Sequence, residues 1–313
     1  MTDNADAPSS DCLQRAAASI EEGMLGQAAL GLEEALCVEI ESQAIMTALK
    51  HVSFWHDREQ RVERMSDPYE RGEYLLGQWE VFRTFSSSDA VVAATILNAL
   101  RSYVFHAALV AYRNVYAERE NREPQLLVRI ARCYKALGSY DEALRFVQAA
   151  AGIRTDDALV LAELADVLAL VNRVAEAKAF FREAFFIDPQ AVPLQSLESQ
   201  VIVRLYERVS ELGFRPELVR EWVPVYGVLY GVFSVPRELR PIEFGRLKQS
   251  IYELERELRE QTGDAEVIKP RLLNRYFWLL DHYTITGDAQ RHIEEVKLKV
   301  RSVDQDVYHH YSA

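Results

Sequence analysis

Seven histidines and three cysteines are the side chains of this sequence that could ligate a transition metal. His51 and His56 are five positions apart, which places them about 140° apart around a helix and prevents them from sharing one metal ion. The adjacent His309 and His310 diverge in the same way. The sequence contains no H-E-x-x-H, C-x-x-C or EF-hand spacing. We therefore expect no metal site.

Paired carboxylates are the next candidates, because two neighbouring carboxyl groups can divide acid and base roles. Glu21-Glu22 and Glu294-Glu295 stand within helical patterns, where such residues form solvated faces. The sequence has no glycine-rich phosphate loop of the G-x-G-x-x-G or Walker type and no G-x-S-x-G nucleophile turn. We predict that the chain is not an enzyme and binds no cofactor. A hydrolase whose site forms between helices is the alternative.

The composition predicts an all-α protein. Thirteen glycines and ten prolines are too few turn formers for an all-β domain, whereas long runs of Ala, Leu, Glu and Arg favour helix. The net charge of −12 argues against non-specific attraction to nucleic acid or to an anionic membrane surface.

Three features predict a cytoplasmic location. Cys12, Cys37 and Cys133 are an odd, scattered set, which indicates free thiols in a reducing compartment. Residues 1–12 are acidic and polar and lack the regions of a secretory signal, so we expect a flexible tail. The most apolar run, residues 222–233, is shorter than the roughly 20 residues of a membrane-spanning helix. We expect no membrane insertion.

Two segments of the sequence repeat with an offset of 34 residues. Large and small side chains follow in the same order in both, and Gly138 and Asn172 stand at the turn within each, where a left-handed residue ends a helix. The matched pairs are Leu127 and Leu161, Ile130 and Leu164, Ala131 and Ala165, Tyr134 and Leu168, Ala143 and Ala177, Val147 and Phe181, and Ala150 and Ala184. Each segment should form two antiparallel helices that cross at the alanines.

This period and order of residues resemble the tetratricopeptide repeat family. The "YDEA" at 140–143 and the "IDP" at 187–189 are in the family's register, and fainter copies surround Gly23, Gly213 and Gly287. The resemblance implies an all-α fold, a right-handed α-solenoid of stacked antiparallel helix pairs, in which degenerate neighbours cap the two clear repeats.

The chain divides into five predicted regions. These are a tail at 1–12, an N-terminal helical region with degenerate repeat units at 13–123, the two clear repeats at 124–191, degenerate helices with an aromatic run at 192–235, and a C-terminal helical cap at 242–313. Val235–Pro241, with two prolines, is the best linker candidate. Asp67-Pro68 should break a long helix, and "SSSD" at 86–89 should cap the next. Residues 90–120 fit one helix or two.

The last region contains a short apolar stripe, formed by Phe244, Leu247, Ile251, Leu254 and Leu258. It lasts little more than two heptads, less than the three or four that indicate a coiled coil. We predict a helix that docks on the end of the repeats, with Glu255 and Arg259 able to pair on its outer side. The alternative is a homodimer through 244–258.

The family resemblance implies a non-enzymatic adaptor or scaffold that binds a protein or peptide in its concave groove. In that family the first helix of each pair lines the groove. The corresponding residues here are Gln125, Val128, Arg132, Lys135, Leu159, Ala162, Asp166, Ala169 and Leu170. Arg132 and Lys135 beside an apolar strip suit a peptide with a carboxylate. The carboxylate clamp of the family's chaperone-binding members is missing, because Val128, Leu159 and Glu163 stand in its places.

The aromatic run "WVPVYGVLYGVF" at 222–233 leaves a second function open. Its main interpretation is a buried helix in which Gly227 and Gly231 form a smooth stripe for close helix contact. In the alternative, Tyr226, Tyr230 or Phe233 contacts a small ligand, and the protein is a regulatory subunit or sensor.

Overall fold

The computed structural model describes residues 7–118, 123–235 and 237–312, and the chain is all-α throughout them. These residues form fifteen α-helices and one short 3-10 helix, with no strand. The helices belong to two compact units, Met1–Phe146 and Val147–Ala313, each with its own hydrophobic core.

The first unit contains six complete helices. They are α1 (Ala7–Glu21), α2 (Leu25–Val38), α3 (Gln43–Arg64), α4 (Pro68–Ser86), α5 (Ala94–Glu118) and α6 (Pro124–Ala136). A seventh, α7 (Tyr140–Ile153), begins in the first unit and ends in the second. Residues 1–6 of the predicted tail lie outside the described residues, and α1 begins within the rest of it.

Helix α5 is the centre of the first unit, because it packs against α1, α3, α4 and α6. Its buried stripe has the four-residue spacing of one helix face: Ile96, Leu100, Val104, Ala108 and Tyr112. In the part of the chain described, residues 94–117 are the one stretch long and apolar enough to cross a membrane by length and composition, with 44% of that window buried. Of the predicted segment 90–120, the described residues 90–118 contain a single helix, α5, rather than two.

The two predicted boundaries around α4 have different outcomes. Asp67 is its N-cap, and the Asp67 carboxylate accepts the backbone N–H groups of Tyr69 at 2.7 Å and Glu70 at 3.1 Å, so the predicted break is confirmed. The predicted cap at 86–89 is wrong, because α5 begins only at Ala94. The Asp89 carboxylate is held instead by side chains of α3.

The second unit contains eight further helices. They are α8 (Ala158–Leu170), α9 (Val174–Ile187), α10 (Gln200–Ser210), α11 (Pro216–Leu229), α12 (Pro241–Glu260), α13 (Ala265–Thr286), α14 (Gln290–Val303) and α15 (Gln305–Ser312). Helix α11 packs against α9, α10, α13 and α15, and α13 also packs against α12 and α14. The buried Arg182 of α9 forms an ion pair with Asp281 of α13. Helices α11 and α13 are therefore the centre of this unit.

The predicted 34-residue period recurs in the helix boundaries. Helices α6 and α7 occupy 124–136 and 140–153, and α8 and α9 occupy 158–170 and 174–187, so all four ends differ by 34. Gly138 and Asn172 have φ of 75° and 64°, the left-handed conformation that we predicted for both. The six matched alanines at 131, 143, 150, 165, 177 and 184 are buried. The pattern of adjacent packed helices is consistent with a helical repeat.

The C-terminal stripe packs within the second unit. Leu247 and Ile251 are buried, and Phe244, Leu254 and Leu258 lie against the same core, which includes α13. The partners of Glu255 are residues other than Arg259. Its carboxylate accepts hydrogen bonds from the Tyr276 hydroxyl at 2.8 Å and from the Lys299 ammonium at 2.9 Å.

The predicted linker is also held by the second unit. The carbonyl of Val235 accepts a hydrogen bond from Arg182 at 3.2 Å. Leu239 is buried, and its N–H donates to Nδ1 of His282 at 3.2 Å. Pro236 lies outside the described residues.

The glycine stripe predicted for the aromatic run is wrong. Gly231 lies beyond the end of α11 with φ of 68°, so it is not on the same helical face as Gly227. The chain turns back there, and the Phe233 N–H donates to the Gly227 carbonyl at 2.8 Å. The Phe233 ring covers Gly227 so closely that a Cβ there would lie 2.3 Å from Cδ2 of that ring. The absence of a side chain at Gly227 therefore accommodates the Phe233 ring six residues later, and not a second helix.

Candidate functional site

Helix α6 exposes only part of the predicted partner surface in the first unit. Gln125 is exposed and Arg132 is half-buried, whereas Val128 and Lys135 each retain only 2% of their accessible surface. A buried side chain cannot contact a partner without a structural change. The accessible contribution of α6 is therefore Gln125 and Arg132.

Helix α8 shows the same division in the second unit. Leu159, Ala169 and Leu170 are partly exposed, whereas Ala162 and Asp166 are fully buried. The Asp166 carboxylate accepts the backbone N–H of Glu198 at 3.0 Å and that of Ser199 at 2.8 Å, just before α10 begins. Asp166 thus satisfies orphan amides at a helix start and does not face solvent.

The aromatic run contributes to a ladder of rings on the second unit. Phe214 stacks on Trp222 with centroids 4.7 Å apart, and Tyr226 lies 6.0 Å from Trp222 and 5.5 Å from Tyr230. Phe233 is a core residue against Phe185. Burial raises the pKa of the Tyr226 hydroxyl. The three residues predicted for a ligand are therefore not equivalent: Phe233 is inaccessible, and the two tyrosines are half-buried.

A cavity of about 340 Å³ opens on the other side of α11, between that helix, α9 and α13. Its apolar wall includes Phe185, Ile187 and Pro224, and its charged wall includes Glu221, Arg271 and Arg275. The sequence did not reveal it, because Arg271, Asn274 and Arg275 resemble any polar helical face. Their spacing of three and four residues, which puts them on one side of α13, is the signal that was available.

Arg271 is fully engaged by a buried carboxylate. Its guanidinium donates two hydrogen bonds to Glu221, from Nη2 to Oε1 at 2.6 Å and from Nε to Oε2 at 2.8 Å. The Glu221 side chain is only 1% exposed, and the Gln190 amide also donates to its Oε1 at 2.9 Å. Hydrogen bonding to Glu221 raises the pKa of Arg271. This pair is neutral as a unit.

Arg275 has no comparable partner. Its guanidinium makes no hydrogen bond or ion pair with another described residue, and its Nε is buried and unsatisfied. The group lies over the Phe186 ring, with Cζ 3.9 Å from the ring centroid. Burial, and then repulsion from Arg271, lower the pKa of Arg275 to about 10. Of the two arginines that line the cavity, Arg275 is therefore the one without an ion pair.

A second polar cluster, in the first unit, joins Lys50 and His51 of α3 to Asp89 in the loop between α4 and α5. His51 is 1% exposed, and its Nε2 lies 2.8 Å from the Asp89 carboxylate, which also accepts Lys50 Nζ at 2.6 Å. A histidine–carboxylate pair orients the base in nucleophilic catalysis. Within the described ranges, however, no hydroxyl or thiol hydrogen-bonds to His51, and no group of three or more His, Cys, Asp and Glu residues could hold a metal.

No protein-family model matches the chain, and no curated protein matches its sequence. The resemblance to tetratricopeptide repeats therefore depends on the residue pattern and on the helix boundaries that follow it.

Proposed function

We propose that the chain is a non-enzymatic scaffold of tetratricopeptide-like helix pairs that binds a protein segment along the first helix of each pair. The observation that supports this most is the recurrence of all four helix ends of α6–α7 in α8–α9 after 34 residues. Repeated pairs present equivalent faces of their first helices, and such faces suit extended partners. A stack of the α-solenoid class and a cytoplasmic location are parts of the same proposal.

The accessible residues favour a partner with apolar anchors and an acidic group. On α8 these residues are Leu159, Ala169 and Leu170, which are apolar and partly exposed. On α6 they are Gln125 and Arg132, which can bind polar and anionic groups. Apolar anchors give most of the affinity in such complexes, and charged groups give orientation and specificity.

The test is affinity purification with the full chain as bait, comparing substitutions on first and second helices. Leu159→Asp combined with Leu170→Asp should reduce recovery of the partner at least tenfold, because a carboxylate replaces each apolar anchor. Arg132→Glu should reduce it as well. Lys135 is left unchanged, because a charge reversal at a buried position would test folding rather than binding.

The matched controls lie on α7. Ile153 is 53% exposed, so Ile153→Asp introduces one such carboxylate on a second helix, and Arg145→Glu makes the same charge reversal there as Arg132→Glu makes on α6. Both controls should retain the partner. If the α8 double variant keeps its helical circular-dichroism spectrum and still recovers every partner, the proposed surface is wrong.

A further inference from the structure

The cavity between α9, α11 and α13 has the properties of a small-molecule site. Its volume of about 340 Å³ is at the lower end of the range on the order of 300–1,000 Å³ that ligand pockets occupy. Phe185, Ile187 and Pro224 give it an apolar wall, and the polar and charged residues come from α11, α13 and the segment after α9. Ligand sites combine apolar walls with polar groups that fix the orientation of the ligand, and this cavity has both.

Arg275 is the feature of this cavity that requires an explanation. An isolated charge is costly to remove from water, so buried charged groups in proteins are paired with a counter-ion or a metal. Arg275 is half-buried, its Nε is fully buried, and it lacks such a partner, while Arg271, one turn earlier on the same helix, has a bidentate one. A bound anion would complete the pairing of Arg275 without disturbing the Arg271–Glu221 pair.

The geometry also holds Arg275 in place in the absence of a ligand. The Phe186 ring supports its guanidinium at 3.9 Å, and the neighbouring Asn274 amide donates to the Phe185 carbonyl at 3.4 Å. These contacts fix the side of α13 that lines the cavity. A guanidinium held in one position loses less entropy when it binds a ligand.

We propose that this cavity binds a small organic monocarboxylate. The ligand's carboxylate pairs with the guanidinium of Arg275, and its apolar part lies against Phe185, Ile187 and Pro224. A single negative charge fits best, because Arg275 is the one unpaired cation and because two carboxylates, Glu221 and Asp188, also line the cavity. These would repel a dianion such as a phosphate monoester. The site is independent of the proposed partner surface on α6 and α8.

The test is binding of simple probes to the purified full chain. Hexanoate and phenylacetate should raise the melting temperature and bind saturably in calorimetric titration. Hexanamide, which has the shape of hexanoate without its charge, should bind at least tenfold more weakly. Inorganic phosphate should also bind more weakly than the carboxylates, for the electrostatic reason given above.

Two substitutions assign the binding to Arg275. Arg275→Gln should weaken hexanoate binding at least tenfold, and Arg275→Lys should restore part of it, because the charge returns without the planar fork. Arg291→Gln is the matched control, since Arg291 is an exposed arginine of α14 and should have no effect. Partner recovery in affinity purification should be unchanged in Arg275→Gln, which separates this site from the proposed scaffold function.

Three results would overturn the proposal: no saturable binding of either carboxylate, equal binding of hexanoate and hexanamide, or unchanged hexanoate binding in Arg275→Gln. Tighter binding of phosphate than of both carboxylates would overturn the assignment of a monoanion. If Arg275→Gln fails to fold, the comparison of Arg275→Lys with the unsubstituted chain decides, with weaker hexanoate binding expected.

Discussion

Replacing Arg275 with methionine should stabilise the ligand-free protein. The substitution removes a half-buried charge that has no hydrogen-bonded partner among the described residues, and it keeps an aliphatic chain of similar reach. Most substitutions destabilise proteins, typically by about 1 kcal/mol. An increase in stability is therefore an unusual result for a substitution, and we expect it because this guanidinium is unpaired.

The magnitude follows from the lowered pKa of Arg275. Its ordinary value is 12.5 and its value in the folded chain is about 10. At about 1.4 kcal/mol per pKa unit, the folded state disfavours the charged form by roughly 3 kcal/mol. Loss of the contact between the guanidinium and the Phe186 ring costs about 1 kcal/mol, which offsets part of this gain. We expect a net increase of about 2 kcal/mol in the free energy of unfolding.

The dependence on pH has a definite sign. Arg275 is charged in both the folded and the unfolded chain below pH 10, so its cost is constant there. The cost decreases only as pH rises through the folded value, where the folded chain releases its proton first. The gain from Arg275→Met should therefore be the same at pH 6 and at pH 9.

Urea unfolding followed by circular dichroism measures this gain as a higher midpoint at an unchanged slope. Arg271→Met is the matched control and should have the opposite effect. It leaves the buried Glu221 without its bidentate partner, and breaking such a pair costs on the order of 3–5 kcal/mol. If Arg275→Met destabilises the chain as Arg271→Met does, then Arg275 has a structural partner, and the reasoning about the cavity is wrong.

Two further predictions concern the packing of each unit. In the first unit, the prediction concerns Glu73. Burial alone would raise the pKa of its carboxyl group, but hydrogen bonds have the larger effect and lower that pKa, above all the bidentate pair with Arg129. The charged Glu73 therefore stabilises the fold above pH 4.5, and this stabilisation is lost as pH falls through the pKa of Glu73 in the folded chain. Glu73→Gln lacks this titrating group, so acidification should reduce its free energy of unfolding less than that of the unsubstituted chain. In the second, Gly227→Ala should cost about 1–3 kcal/mol in urea unfolding, because its Cβ would meet the Phe233 ring at 2.3 Å. Gly245→Ala, on the open side of α12, should be neutral or stabilising, and equal effects of the two would contradict the contact.

The sequence was sufficient for the helix pairs of the repeat. Their signals are local: alanines where helices cross, and Gly138 and Asn172 at the turns between helices. The carbonyl and amide partners of these turns lie within five residues of each other, so no distant element is needed to form them. For the same reason the cap at Asp67 could be recognised from two adjacent residues.

The accessible surface could not be predicted in the same way. Asp166 occupies a polar position of α8, but its carboxylate is covered by backbone amides 32 and 33 residues later. Lys135 is likewise a polar residue that the folded chain buries. Periodicity identifies a helical face, but the elements that cover the face come from elsewhere in the sequence.

The same limit explains the missed cavity and the wrong cap. The cavity forms where α9, α11 and α13 meet, and Arg275 differs from a solvated arginine only through that meeting. Asp89 follows three serines and resembles a helix cap, but its carboxylate binds Lys50 and His51, 39 and 38 residues earlier. Competition from distant partners is not visible in a local pattern.

In the proposed scaffold, the first helix of each pair contacts a protein partner. Hydrogen–deuterium exchange tests it most directly, by comparing the free chain with the complex recovered from cells. We predict slower exchange in α6 and α8 on binding, with exchange in α7 and α9 unchanged. Protection confined to α7 and α9, or a stable complex that protects neither α6 nor α8, would show that the partner binds elsewhere.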